Sequence, residues 1–171
     1  MRINGVGVYL HWSVILIGAL ILLGAIERPG PTLALWVSYF GVLLLHESGH
    51  LIIAQRLHYR VLSIELFPIF GFTRFELPQS RYDYALIAWG GVLAQCVIAV
   101  PTVTFISAFG YTRFDSVNVV LGMFGYYSLF VAAFNLVPVR PLDGAMAWRL
   151  IPALFDRMRA PRKKGVIEWR P

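Results

Sequence analysis

The sequence predicts an all-α polytopic membrane protein: about four transmembrane helices, a short membrane-associated β-hairpin or loop, and a C-terminal interfacial helix. Three observations carry that expectation. Hydrophobic residues make up 58% of the 171 residues and charged residues 14%, with a mean hydropathy of +0.67. Soluble domains carry about 25% charged residues; the few polar side chains here cannot wrap such a core in water, so lipid is the expected outer solvent. Four apolar stretches approach or exceed the roughly 20 helical residues that cross a hydrocarbon layer of about 30 Å. The basic residues, finally, alternate sides. With the N-terminus in the cytoplasm, Arg2, Arg56, Arg60, Arg74, Arg81, Arg140, Arg149, Arg157, Arg159, Arg162, Lys163, Lys164 and Arg170 are cytoplasmic and only Arg28 and Arg113 external, thirteen of fifteen. That asymmetry places both termini of a multi-pass cell (inner or plasma) membrane protein in the cytoplasm. It also accounts for a pI near 9.8 without a nucleic-acid partner. The chain divides into one core, residues 1–160, and a basic tail, 161–171.

The first span is expected from Val8 to Ile26. Arg2 alone precedes it and no small-residue cleavage site follows Gly24, so it reads as a retained anchor. His11 and Trp12 near its start read as interface anchors. The second span, Thr32 to Gln55, contains Leu45-His46-Glu47-Ser48-Gly49-His50-Leu51, with ionisable groups where each costs a few kcal/mol. His46 and His50, one helical turn apart, converge on one ion, with Glu47 beside it. This is H-E-x-x-H, in which two histidines hold zinc and the glutamate is a general base. From 4 His and 5 Glu the expected number of chance matches is about 0.003, so coincidence does not explain it. Gly49 permits close approach of a backbone or a substrate.

Between Arg56 and Tyr84 lies a linker of about thirty residues whose segment from Ile64 to Leu77 is too apolar for a free loop. Partial alternation from Phe70 to Glu76 suits a short hairpin dipping to the membrane surface; a loop anchored by phenylalanines fits equally well. The third span runs from Ala85 to Phe109 and carries the only cysteine, Cys96, so no internal disulfide is possible. The fourth, Val117 to Val137, ends in Asn135-Leu136-Val137-Pro138-Val139-Arg140-Pro141-Leu142-Asp143-Gly144, where two prolines prevent a continued helix. Asp143 reads either as the N-cap of an interfacial helix over about 144–158 or, since the second and fourth spans run in the same direction, as a third zinc ligand in the cytoplasmic half.

Together these residues resemble the site-2 proteases, intramembrane zinc metalloproteases of peptidase family M50. The resemblance rests on H-E-S-G-H at 46–50, N-L-V-P-V-R-P-L-D-G at 135–144, the run Gly90-Gly91-Val92-Leu93-Ala94-Gln95, and Gly5 to Ser13. It implies one zinc ion per chain held by His46, His50 and Asp143, water activation by Glu47, and Asn135 beside the reacting carbonyl. It implies a substrate path near Phe70, Gly71 and Phe72, with Gln95 a further candidate. Gly91 and Gln95 stand where the family commonly has proline and asparagine, which leaves Asn135 the better candidate for polarising the carbonyl. No PDZ insertion fits the loops and no CBS domain fits after Ala160, so the chain is similar to a minimal member of the sporulation-protease branch.

The expected function is zinc-dependent cleavage of a peptide bond in or beside a transmembrane helix of a single-span or multi-span membrane protein. The alternatives are a metal-ion transporter, which needs a polar path through both leaflets where the outer halves offer little besides Ser38 and Ser107, and an inert scaffold, against which the complete ligand set argues.

Overall fold

The chain opens with strands, the second of which runs into the start of the span that the sequence predicts. The computed structural model describes residues 2–3, 5–68 and 71–159; the expectations for Phe70 and the basic tail lie outside these. Strand β1 (Arg2–Ile3) pairs antiparallel with β2 (Val6–Leu10). A helix begins only at Trp12, as α1 (Trp12–Leu23), with a 3-10 turn over Gly24–Ile26. His11 caps it, Nδ1 accepting from the Ser13 amide. The helical part rises only about 24 Å, too short for a hydrocarbon core. The first expected span is therefore wrong at its N-terminal end.

The reason lies in the next elements. Helix α2 (Pro29–Arg56) is 28 residues, with proline in its first turn, where a missing N–H costs nothing. Two residues beyond its end His58, with a φ of 64°, turns the chain. Strand β3 (Val61–Leu66) then runs back along α2, and β4 (Gly71–Phe75) completes a sheet of order β1-β2-β3-β4. β2 pairs parallel with β3, Val8 facing Ile64 and Leu10 facing Leu66. Val6 and Val8 are buried with Ile64 and Leu66, packed on Tyr39, Leu43 and Leu51 of α2 and Val14 of α1. A period-two pattern in five residues is easily hidden beside a longer apolar run, and here the predicted span takes in the last three residues of the strand, Val8 to Leu10.

The hairpin reaches deep. The Tyr39 hydroxyl donates to the Pro68 carbonyl at 2.7 Å, about 25 Å along α2 from Arg56. The His11 amide donates to the Leu66 carbonyl at 3.0 Å, so α1 starts from the far end of the sheet. Strand β2 contributes about 16 Å, and with α1 the pair covers about 40 Å, close to the length of α2. The chain is thus not all-α: a small sheet stands in for the near half of one helix.

Helix α3 (Arg81–Phe109) is capped by Ser80, whose Oγ accepts from the Tyr82 and Asp83 amides. Helices α4 (Asp115–Gly122) and α5 (Ser128–Asn135) are joined by a π-helical turn, Met123–Tyr127, into one segment. The π turn holds an extra residue and rotates α5 by about 100° relative to α4; beyond it Ser128, Val131, Ala132 and Asn135 are buried on one face. Among the described residues α2, α3 and Asp115–Asn135 are the three helices long and apolar enough to cross a membrane. The expected interfacial helix is broken at Trp148 and Arg149 into α6 (Gly144–Ala147) and α7 (Leu150–Arg159). Ile151, Leu154, Phe155 and Met158, all exposed, share one face of α7.

Candidate active site

Helices α2 and α3 touch backbone to backbone. A Cβ on Gly49 would fall on the Gly90 carbonyl, and a Cβ on Gly90 would meet that of Gly49. This contact carries the histidines of α2 against Gly91, where a Cβ would meet both imidazoles. Beyond Asn135, Pro138 and Pro141 turn the chain back. Gly144 packs against the Leu136 carbonyl with no room for a side chain. The Trp89 indole donates to the Ala147 carbonyl at 3.0 Å and the Trp148 indole to the Leu136 carbonyl at 2.7 Å. These ties hold the segment that carries Asp143.

Asp143 occupies the N-cap position of α6 but makes no capping hydrogen bond. Its Oδ2 lies 2.9 Å from His46 Nε2 and 3.1 Å from His50 Nε2, and the two Nε2 atoms are 3.2 Å apart. Ligands about 2.0–2.1 Å from a tetrahedral zinc are roughly 3.3 Å from one another, so the triangle needs to open by only a few tenths of an ångström. The other ring nitrogens are committed: His46 Nδ1 donates to Gln95 Oε1 at 3.1 Å and His50 Nδ1 to the Ile87 carbonyl at 2.7 Å. Both Nε2 lone pairs therefore face the carboxylate, a donor set that repels itself unless a cation sits among it. These three residues fit zinc.

Glu47 is 1% exposed and its carboxylate meets β4 at Gly71 and Thr73. It borders the same cleft of about 150 Å³ as His50, Asp143, Asn135, Gly71, Phe72 and Thr73. Asn135 is buried and donates from Nδ2 to the Val131 carbonyl at 3.0 Å. The sequence matches no protein-family model and no curated protein. In three dimensions it is similar to the site-2 protease from Methanocaldococcus jannaschii, with a TM-score of 0.69 and 24% identity over 90% of this chain and 70% of that one. The chain has the site-2 protease fold.

Two residues take on meaning in that setting. Gln95 is fully buried, accepts from His46 Nδ1 and is not among the residues that line the cleft. Gly91, where the site-2 protease sequences commonly have proline, leaves room for the two imidazoles. Sequence reasoning passes over Thr73 altogether: its hydroxyl donates to Glu47 Oε2 at 2.7 Å. The one signal for it is the partial alternation of the hairpin, which says nothing of strand register.

Proposed function

We propose that the protein is an intramembrane zinc metalloendopeptidase that cleaves a membrane-protein substrate within or beside one of its transmembrane helices. The observation that carries this reading is a His46–His50–Asp143 donor triangle whose His50 and Asp143 border one cleft with the buried Glu47, inside a fold whose helices are apolar enough to span lipid. When bound, zinc supplies a Lewis acid that polarises a carbonyl and makes water easier to deprotonate. His46, His50 and Asp143 would hold the ion, and Gln95 and the Ile87 carbonyl fix the two imidazoles in the ligating tautomer. Glu47 takes a proton from water and returns it to the leaving amine. Asn135 uses one amide hydrogen on Val131 and offers the second to the oxygen of the reacting carbonyl. A substrate segment must be extended to offer a free carbonyl. β4, the last strand of the sheet, offers it an edge to pair with beside Phe72. By the charge asymmetry of the loops, the protein lies in the cell membrane with both termini in the cytoplasm.

The test is purified Glu47→Gln. Cleavage of a single-span substrate is expected to vanish while about one zinc per chain remains, because Glu47 moves protons and does not hold the metal. Zinc loss in that variant, or undiminished cleavage, overturns the assignment.

A further inference from the structure

We propose that Thr73 is a positioning residue for the general base, its hydroxyl fixing which Glu47 oxygen takes the proton; this rests on the protease reading above. Among the described residues the Thr73 hydroxyl is the single hydrogen-bond donor to the Glu47 carboxylate, 2.7 Å from Oε2. The same hydroxyl lies 3.4 Å from the Glu47 backbone carbonyl, too long to compete for its one hydrogen. Oε1 has no donor among the described residues and is the carboxylate oxygen nearest the Cβ position of Gly71. One oxygen is therefore held and the other is left without a donor, on a residue that borders the cleft, the division of labour a proton-transfer group requires.

The strand delivers this hydroxyl by register. Thr73 pairs with Ile64, which is fully buried against α2, so the alternation of β4 turns Gly71 and Thr73 to the same side. At Gly71 a Cβ would strike the Glu47 carboxyl group, so only glycine lets the strand come close enough for the hydroxyl to reach. A one-residue slip of β4 would present Phe72 or Arg74 to the base. The sheet is itself anchored: Tyr39 holds the hairpin at Pro68, the Glu76 amide donates to the Arg60 carbonyl, and Arg74 pairs with Glu65. Thr73 thus approaches the base from a fixed strand, and a fixed donor defines an orientation where a mobile one does not.

Three substitutions separate the hydroxyl from the rest of the side chain. Thr73→Val keeps the shape and removes the donor; Thr73→Ser keeps the donor and removes the methyl; Thr73→Ala replaces Val should Val fail to accumulate. A hydrogen bond to a charged group corresponds to about ten- to hundred-fold in rate. Thr73→Val is expected to lower kcat by that factor with KM within about two-fold and zinc content unchanged, and Thr73→Ser to stay near wild type. Independently of activity, thermal unfolding of the zinc-free protein should show Thr73→Val lowering Tm by at least about 2 °C, and having no such effect when Glu47 is already Leu. Equal kcat in Val and wild type, a Ser variant as slow as Val, or the same Tm loss in the Glu47→Leu background overturns the proposal. If wild type and Glu47→Gln cleave at the same rate, the protease reading fails first, and the unfolding cycle still decides whether Thr73 holds Glu47.

Discussion

His46 and His50 each have one ring nitrogen engaged by an acceptor from α3, and this fixes where the other points. The acceptors differ in kind: Ile87 offers a backbone carbonyl that no substitution removes, whereas Gln95 offers a side chain. Gln95→Leu should therefore weaken zinc binding about 10- to 100-fold, the usual effect of losing such a support, measured by competition with a chelator. Unchanged affinity would mean that the imidazole is oriented by packing alone. The pair His46 and His50 and the intervening Glu47 are legible in the sequence because four-residue spacing is a local property of a helix. Asp143 is legible only as an alternative between helix cap and ligand, since its partner lies 97 positions away. The missing capping hydrogen bond and the two short distances to imidazole nitrogens favour the ligand reading proposed above. Gln95 and Thr73 are illegible as supports because each acts through a contact between elements whose relative register no single segment encodes.

At the scale of elements, the sheet and the α2–α3 crossing determine the site. Apolar stretches reveal spans through length and composition, and three of the four expected ones correspond to helices long enough to cross. The first does not, because Val6 and Val8 are as apolar as any helix residue and their strand character depends on β3, more than fifty residues away. The sheet also has a consequence for its surroundings. An open strand edge at membrane depth needs water, protein or substrate along it, so β4 belongs beside an aqueous cleft, as its place next to Glu47 and Asn135 requires. The crossing of α2 and α3 tolerates no side chain at its centre. In Gly49→Ala the new methyl meets the Gly90 backbone, which cannot rotate away, and overpacking of this kind costs about 1–3 kcal/mol. Thermal unfolding of that variant should show Tm lowered by several degrees, with weakened zinc binding, because His46 and His50 ride on the same helix face. A variant as stable as wild type would place the crossing elsewhere.

For the whole molecule, the charge asymmetry and the depth of the donor triangle combine into one account of orientation and cleavage. His46 lies about 15 Å along α2 from Arg56, the end that the loop arginines assign to the cytoplasm. A reporter fused after Arg113 should accordingly be external and one after Lys164 cytoplasmic; the opposite labelling would invert the account. On the proposed protease reading the cut is expected in the cytoplasmic half of the substrate span, where a regular helix hides every carbonyl in a hydrogen bond. A Gly or Pro near the cut lowers the cost of exposing one, by about 1 and 3 kcal/mol on the helix-propensity scale. Replacing that breaker by Leu should slow cleavage roughly five-fold to a hundred-fold. The most direct measurement is mass-spectrometric mapping of the bond cleaved in a single-span substrate by the wild-type protein, with Glu47→Gln alongside. The account predicts one bond in the cytoplasmic half of the substrate span or just beyond it, absent from the Glu47→Gln digest; a bond in the external half, or the same products from both proteins, would contradict it.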